Sequence, residues 1–184
     1  MKALGGTGGN GSGKDTVGEY LREKYSVPVI SPGDLVRDIA RDRGLEPTRE
    51  NLHHVARDCI RRHGPQYLLT RVAREIEERG WDLVTIAGLR TPEDVRCFRR
   101  HFAEDGVLAR VEVRDPRLRF ERLKRRGRPR DPTSYEEFLA QEESEEGDFR
   151  LNETLGQADV CLDNSGNVQQ LHRQGELLIV EPWL

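Results

Sequence analysis

Cysteine, aromatic residues and long apolar runs are all scarce in this sequence. Its 184 residues include 6% aromatics and three widely separated cysteines, Cys59, Cys97 and Cys161, with no CxxC pair. This spacing argues against a disulfide framework and against a zinc ribbon. The longest uncharged apolar run falls far short of the roughly 18–20 residues that cross a bilayer, and we find no secretion signal at the N-terminus. We therefore expect a soluble cytoplasmic protein without a membrane partner.

The length and the charge of the chain indicate how many domains it has and which class of partner is disfavoured. A chain of 184 residues fits a single domain over residues 1–184, since domains hold roughly 100–200 residues. The net charge of −3 argues against a general nucleic-acid binder. The charge is nevertheless uneven, because residues 117–130 hold eight Lys and Arg, whereas residues 131–148 hold none and are rich in Asp and Glu. This layout indicates a local role for the basic segment.

Short apolar runs alternate with longer amphipathic segments along the chain. The apolar runs predict strands at residues 3–6, 27–30, 83–87, 107–113 and 160–162. The amphipathic segments predict helices at residues 14–24, 33–43, 49–63, 65–79, 92–102, 116–126, 134–145 and 168–174. Strands separated by helices indicate an α/β fold, in which a parallel sheet has crossover helices on both faces. The three consecutive helices within residues 33–79 indicate a helical insertion at the sheet edge.

The most specific local motif is a glycine-rich segment between the first predicted strand and the first predicted helix. It fits the pattern G-x-x-x-x-G-K and consists of Gly8, Gly9, Asn10, Gly11, Ser12, Gly13 and Lys14, followed by Asp15 and Thr16. Glycines let backbone N–H groups turn toward one centre and form a nest for phosphate oxygens. The helix N-terminus adds partial positive charge. We therefore predict that residues 8–16 bind the phosphates of ATP and that Lys14 acts on the outer phosphates as a catalytic cation.

Asp15 stands where this pattern has Ser or Thr, whose hydroxyl binds Mg²⁺. A carboxylate also binds Mg²⁺, because hard cations prefer charged oxygen ligands. We predict that Asp15 contacts Mg²⁺ directly or through water, and the hydroxyl of Thr16 is a second candidate ligand. The alternative is that Asp15 interacts only with the helix dipole and that Thr16 only caps the helix.

Two further segments each place an arginine shortly after a predicted strand. Residues 29–37 (Val-Ile-Ser-Pro-Gly-Asp-Leu-Val-Arg) resemble the I-S-T-G-D-x-x-R segment of adenylate kinase and its nucleoside monophosphate kinase relatives. Residues 88–91 (Gly-Leu-Arg-Thr) resemble their D-G-x-x-R-[ST] element, and are more similar still to the D-G-[IL]-R-[ST]-P element of an adenylate-kinase-like or dephospho-CoA-kinase-like ATPase family. The resemblance implies that Arg37 and Arg90 bind the acceptor's phosphate, with Asp34 beside the acceptor cleft. The alternative for Arg37 is an ordinary solvated helix residue.

Ala87 is a departure from that family, whose members carry at this position an Asp that orients Mg²⁺ through water. Its absence puts the handling of magnesium in question. Asp15 is a candidate to replace this carboxylate from the other side of the site.

The basic segment resembles the lid of the same kinases. Arg122 and Arg126 lie four residues apart on one face of the predicted helix. The resemblance implies that they correspond to the arginine pair at the start of the lid segment. Residues 122–132 then form a short lid with Arg128 and Arg130 at its tip. Arginines of this lid, Arg122, Arg126 and Arg128, neutralise the transferring phosphoryl group in this interpretation. A nucleic-acid patch is the alternative, and the acidic helix that follows is expected to pair with the open lid or to be a solvated face.

These patterns predict a P-loop NTPase fold of the α/β class. We expect a three-layer sandwich with a five-stranded parallel sheet, a helical acceptor-binding insertion at residues 33–79 and a short lid at residues 122–132. The resemblance, which spans residues 2–174, implies Mg²⁺-dependent transfer of the γ-phosphoryl group of ATP to a small phosphorylated acceptor, first of all a nucleoside monophosphate. It also implies that main chain within residues 158–166 borders the adenine ring, although these residues alone fit a strand that ends in an Asx-Gly turn.

Two alternatives to this function remain open at the level of the sequence. A dephospho-CoA-type kinase would phosphorylate a hydroxyl group and would need a general base, for which Asp34 is the candidate. A nucleotide-binding ATPase or regulator would show little kinase turnover, and Ala87 is the residue that keeps this alternative open.

Overall fold

The fold is described by a computed structural model over residues 1–128 and 131–180. The strands within those residues are β1 (Lys2–Thr7), β2 (Val29–Ile30), β3 (Leu83–Ala87), β4 (Gly106–Glu112) and β5 (Val160–Asp163). The α-helices are α1 (Lys14–Tyr25), α2 (Pro32–Asp42), α3 (Arg49–His63), α4 (Tyr67–Arg79), α5 (Pro92–Phe102), α6 (Pro116–Arg126), α7 (Tyr135–Phe149), α8 (Leu151–Gly156) and α9 (Val168–Val180). A 3-10 helix at Ala103–Asp105 precedes β4. None of these helices is long and apolar enough to cross a membrane.

The five strands of the described chain lie parallel in one sheet, in the order β2-β3-β1-β4-β5. β1 lies at the centre, where Leu4 pairs with Thr85 of β3 on one side and with Val107 of β4 on the other. Each pair of consecutive strands is joined through at least one helix, as parallel pairing requires. The predicted five-stranded parallel sheet is therefore confirmed.

Helices cover both faces of the sheet because consecutive residues of a strand point to opposite faces. Ala3 of β1 packs in one buried cluster with side chains of α4 and α5, among them Phe98. Leu4, the next residue, packs in a second buried cluster with Leu21 of α1 and Leu171 of α9. Full burial of one such leucine contributes roughly 1.5–3 kcal/mol. The predicted three-layer α/β sandwich is thus confirmed.

The helices α2, α3 and α4 have a cluster of their own at the β2 edge of the sheet. Its buried members are Val36, Ala40, Val55, Cys59 and Leu68. Strand β2 has only two residues, and the chain passes from it directly through Ser31 into α2. Oγ of Ser31 accepts a hydrogen bond from the backbone N–H of Asp34 at 3.0 Å. Such a cap fixes the start of a helix. It places the N-terminus of α2 at the carboxyl end of β2.

Helix boundaries differ from the prediction mainly after residue 145. Helix α7 continues to Phe149, α8 was not predicted, and α9 continues to residue 180 instead of ending at 174. Gly147 and Gly175 lie inside α7 and α9, although glycine is a poor helix former. An added Cβ at Gly175 would lie 2.9 Å from Cγ1 of Val17, so the absence of a side chain lets α9 pack closely on α1. Tertiary packing therefore overrides the local helix propensity here.

Candidate functional site

The glycine-rich loop connects the end of β1 to the start of α1. Gly13 precedes α1 and has a φ of 95°, a left-handed conformation that favours glycine. Gly11 has a φ of 75°, and an added Cβ there would lie 2.7 Å from the backbone oxygen of Arg119. The N–H of Ser12 donates to the carbonyl of Gly9 at 3.2 Å and closes the turn. A left-handed turn before a helix N-terminus is a backbone arrangement that binds phosphate.

Lys14 is the first residue of α1, and its side chain is 11% exposed. Burial lowers its pKa, and the Asp15 carboxylate, with Oδ1 3.7 Å from Nζ, opposes that effect. An added Cβ at Gly88 would lie 3.9 Å from Cε of Lys14, so the lysine side chain passes the end of β3. A charge in such low-dielectric surroundings interacts more strongly with an anionic ligand than an exposed charge does.

A cleft of about 380 Å³ opens beside this loop at the carboxyl ends of β2 and β3. The predicted site residues that line it are Asn10, Gly11, Lys14, Asp15, Asp34, Arg37, Arg90, Arg126 and Arg128. Predicted site residues that lie outside its lining are Gly8, Gly9, Ser12, Gly13, Thr16 and Arg122, and Arg130 lies outside the described residues. The structure therefore brings part of the phosphate loop, both acceptor-side arginines and two lid arginines to one cavity.

Both acceptor-side arginines are paired with carboxylates. Arg37 forms an ion pair with Asp34, three residues earlier on α2. Arg90 donates from Nη1 to both oxygens of Glu145, at 2.9 and 2.8 Å, and Nη2 of Arg49 donates to Oε1 of the same carboxylate at 2.7 Å. Helix α7, the acidic helix, therefore supplies a buried carboxylate to the two arginines Arg49 and Arg90 that line the cleft.

The lid segment is held by a buried aspartate. Nε of Arg126 donates to Oδ2 of Asp131 at 2.9 Å, and the backbone N–H of Arg128 donates to the same oxygen at 3.0 Å. The hydrogen bond to Asp131 raises the pKa of Arg126. Arg122, about one turn earlier on α6, differs: its Nη1 is buried without a hydrogen-bond partner among the described residues, and burial lowers the pKa of this side chain.

A magnesium ion fits this site with a sparse set of protein ligands. The Asp15 side chain is 47% exposed and lines the cleft beside Lys14. Ala87 lines the same cleft at the end of β3 and carries no ligand atom. The described residues contain no group of three or more His, Cys, Asp and Glu side chains that could hold a metal ion. One carboxylate is nevertheless enough, because Mg²⁺ keeps several waters and combines one or two carboxylates with substrate phosphates.

Sequence comparisons identify relatives that match most of the chain. A family model described as an AAA domain matches residues 7–138, which include the phosphate loop. A UPF0200 protein of Hyperthermus butylicus is 36% identical over 92% of this chain and 88% of its own length. The chain belongs to the UPF0200 family. A second UPF0200 protein, from Pyrococcus horikoshii, is 35% identical over 92% of this chain and 91% of its own length.

Solved structures share the fold of this UPF0200 chain. The crystal structure of TT1252 from Thermus thermophilus has a TM-score of 0.63 and 20% identity, and the match covers 98% of this chain and 97% of that one. Shikimate kinase from Bacteroides thetaiotaomicron has a TM-score of 0.60 and 16% identity, with coverage of 100% and 99%. At these identities the likeness concerns the fold alone. This UPF0200 chain has a P-loop kinase-like α/β fold.

Arg119 is a site residue that the sequence did not single out among the basic residues of α6. Its side chain is 14% exposed, and Nη1 donates to the carbonyl of Asn10 in the phosphate loop at 3.3 Å. The same nitrogen lies 2.5 Å from Oε2 of Glu142, and the guanidinium lies over the Phe138 ring at 5.1 Å. Arg119 therefore joins the phosphate loop to α6 and α7.

Asn164 is the second residue that the sequence did not single out. Its buried side chain donates from Nδ2 to the carbonyl of Ser12 at 2.7 Å, and its backbone N–H donates to the carbonyl of Glu112 at 2.8 Å. The sequence pattern predicted only a turn here. The structure shows that the end of β5 holds the phosphate loop through this amide.

Proposed function

We propose that this UPF0200 protein transfers the γ-phosphoryl group of ATP to a small phosphorylated acceptor, with a nucleoside monophosphate as the first candidate. The observation that carries the proposal is that Lys14, Arg37, Arg90 and Arg126 line one cleft of about 380 Å³. Phosphoryl transfer requires such an arrangement, because its catalysis consists of positioning two phosphate groups and neutralising the charge between them.

The donor nucleotide binds along residues 8–16 in this proposal. Backbone N–H groups of the loop and the N-terminus of α1 surround its phosphates, and Lys14 supplies a desolvated cation to the outer phosphates. Asp15 would hold Mg²⁺, which when bound neutralises phosphate charge. Asn164 and Arg119 keep the loop in place through the carbonyls of Ser12 and Asn10.

The acceptor binds between the sheet edge and the helices of residues 33–79. Arg37 and Arg90 face this part of the cleft and are the charged groups for the acceptor's phosphate. The apolar side chains that line the cleft from α2, α3 and α4 are Val36, Leu52, Ala56, Ile60 and Leu68. An apolar wall with a few convergent charged groups is typical of a small-molecule site, and it suits the planar base of a nucleotide.

The transfer step itself needs charge neutralisation more than proton transfer. A phosphate oxygen of the acceptor is already a nucleophile, so no general base is required. Arg126 and Arg128, within the lid at residues 122–132, would approach the equatorial oxygens of the transferring group. Arg122, whose buried Nη1 has no hydrogen-bond partner among the described residues, is a candidate for the same role when the donor is bound.

A hydroxyl-phosphorylating kinase is the alternative, and a specific observation favours it. Asp34 lines the cleft and accepts a hydrogen bond from Oγ of Ser31 at 2.7 Å, while it also pairs with Arg37. A carboxylate in this position could accept the proton of an acceptor hydroxyl. Asp34→Asn would then nearly abolish phosphorylation of a hydroxyl, whereas it would only weaken phosphorylation of a nucleotide.

A screen of ATP consumption tests the proposed function. The chain is incubated with ATP, with and without Mg²⁺, and with each nucleoside monophosphate or dephospho-CoA in turn. We expect ADP formation that requires both Mg²⁺ and a phosphorylated acceptor. ATP hydrolysis that no acceptor accelerates would instead support an ATPase or regulator, the function that Ala87 keeps open.

A further inference from the structure

A buried carboxylate joins two arginines at the acceptor end of the cleft. Glu145 of α7 is 3% exposed, and it binds Nη1 of Arg90 through both oxygens and Nη2 of Arg49 through Oε1. These residues belong to α7, to the connection between β3 and α5, and to α3. The contact therefore links the helical insertion, the sheet edge and the helix that follows the lid.

This cluster retains a net positive charge. A buried carboxylate is costly unless it is paired, and here two guanidinium groups share one carboxylate. His53 lies nearby, with Nε2 4.0 Å from Oε1 of Glu145, but burial lowers its pKa below the ordinary value of 6.5. The histidine therefore adds no charge at neutral pH, and Arg49, Arg90 and Glu145 together carry one net positive charge beside Asp94 and Asp148.

Arg90 presents unused donors to the cleft. Its contact with Glu145 uses Nη1 alone, and among the described residues its Nε and Nη2 have no hydrogen-bond partner. The side chain is 36% exposed, and its guanidinium lies over the Phe149 ring with Cζ 5.7 Å from the centroid. The carboxylate and the ring fix the guanidinium plane while its outer edge remains open.

Arg49 lies beside Arg90 in the same cleft lining. Its Nη1 donates to Oε1 of Gln141 at 3.3 Å, one turn before Glu145 on α7. Its side chain is 26% exposed, so α7 orients this guanidinium through two side chains without covering it completely.

We propose that Glu145 is a positioning residue that orients Arg49 and Arg90 as one fork for the acceptor's phosphate group, which makes Arg49 a further acceptor-binding residue. This inference rests on the proposed function. Two planar guanidinium groups held in advance bind an anion at a lower cost of side-chain ordering than mobile ones. The fork also lies near the proposed donor side, because Arg49 and Arg90 line the same cleft as Lys14.

Titrations with inorganic phosphate test this role. The phosphate loop is first saturated with AMP-PNP and Mg²⁺, so that phosphate reports on the acceptor side. Glu145→Gln should weaken phosphate binding about tenfold, which corresponds to the loss of one charge-assisted contact. Glu145→Asp keeps the charge and should restore part of the affinity. Glu143→Gln, the same change at an exposed position of α7, should leave the phosphate affinity unchanged. The affinity for AMP-PNP should be the same in the wild type and in these three variants.

Two results would overturn the inference. Phosphate affinity in Glu145→Gln that equals or exceeds that of the wild type would show that the carboxylate is a passive contact or a competitor of the ligand. A wild-type chain that binds AMP-PNP but no phosphate would show that no fork exists.

Arg49→Gln is a second variant that does not alter the buried carboxylate. It should weaken phosphate binding by a similar factor, and unchanged binding would remove Arg49 from the site even if Glu145→Gln failed to fold. Failure of the proposed function is a different observation: AMP-PNP and phosphate both bind, but no acceptor is phosphorylated in the screen. The ratio of phosphate affinities among the variants would still be measurable in that case.

Discussion

The two ends of the cleft are built in different ways. The proposed donor end is a contiguous loop, residues 8–16, of which Asn10, Gly11, Lys14 and Asp15 line the cleft. The proposed acceptor end is assembled from side chains of α2, α3, α7 and the β3–α5 connection, and its arginines are already bound to carboxylates such as Asp34 and Glu145. A site formed by the backbone of one loop is determined by a short stretch of sequence. A site formed by side chains of several elements is assembled only when the whole chain folds.

The electrostatics of the two ends differ accordingly. Nζ of Lys14 lies 3.7 Å from the nearest oxygen of Asp15, beyond hydrogen-bond distance. Arg90 and Arg49 contact Glu145 at 2.7–2.9 Å. Lys14 is therefore a desolvated cation with a longer ion pair, whereas Arg49 and Arg90 form close hydrogen-bonded ion pairs with Glu145. Substitutions at the two ends should consequently have separable effects.

The largest effect is expected from Lys14→Ala at the donor end. Loss of the cation that follows the transferring group should lower turnover by at least about 100-fold, the magnitude of removing one preorganised charge-stabilising group. ATP affinity should fall as well. Because Lys14 is desolvated, thermal stability should be unchanged or higher. Calorimetric ATP titration and thermal melting measure ATP affinity and stability separately. Unchanged ATP affinity together with unchanged turnover would show that residues 8–16 do not form the donor site.

The next largest effect is expected at the acceptor end, from Arg90→Ala and Arg37→Ala. Each change removes a charge-assisted contact worth about 1.5–3 kcal/mol, which is roughly 10- to 150-fold in acceptor KM. The KM for ATP should change less in both variants. Steady-state kinetics with each substrate varied in turn measures this difference. Variants that lose ATP binding but keep the wild-type KM for the acceptor would show that the donor and acceptor are assigned to the wrong ends of the cleft.

A smaller effect concerns the proposed magnesium contact of Asp15. Asp15→Ala should raise the Mg²⁺ concentration required for activity, and Asp15→Ser, which restores the usual hydroxyl, should raise it less. Ala87→Asp in the Asp15→Ala background should restore part of the affinity, because both positions line the same cleft. Magnesium titrations of the four proteins measure this order. An identical requirement in wild type and Asp15→Ala would eliminate Asp15 as a magnesium contact.

The smallest effect is expected outside both ends, where α9 packs on the helix that begins at Lys14. Glu176 pairs with Lys24 and accepts hydrogen bonds from Tyr20 and Tyr25, and these contacts hold its pKa at about 2, below its ordinary value of 4.5. A depressed carboxyl pKa stabilises the fold above about pH 4.5, and that contribution is lost as the pH falls toward 2.

Glu176→Gln should therefore lower the melting temperature slightly at pH 7 and have little effect near pH 2. Glu78→Gln, at an exposed position of α4, is the control and should have no effect at either pH. Melting temperatures of Glu176→Gln that match the wild type at pH 7 would show that this contact adds nothing to stability.

The same contrast explains what the sequence could predict. The phosphate loop could be predicted without knowledge of the strand order, because its glycine-rich motif lies directly between one strand and one helix in the sequence. The alternation of apolar runs also predicted the five strands, since each run is local. Arg37 and Arg90 were found through family resemblance, and the structure places both on the cleft.

The remaining site residues could not be found in this way because their partners are remote. Asn164 binds a carbonyl 152 residues away, and Glu145 binds an arginine 55 residues away. In sequence, Glu145 is one acid among several on α7 and fits a solvated helix face as well as Glu143 does. Two acids of this helix pair with arginines outside the predicted lid at residues 122–132, since Glu142 binds Arg119 of α6 and Glu145 binds Arg90.

The most direct test of the account follows the γ-phosphoryl group itself. ATP labelled in its γ-phosphate is incubated with the chain, Mg²⁺ and the acceptor that the consumption screen selects, and the products are separated. We predict that the label appears on the acceptor in wild type, and that Lys14→Ala and Arg90→Ala reduce this transfer for different reasons, through ATP and acceptor respectively. Label found only in inorganic phosphate, whatever acceptor is present, would contradict the claim that the two ends of this cleft hold a donor and an acceptor.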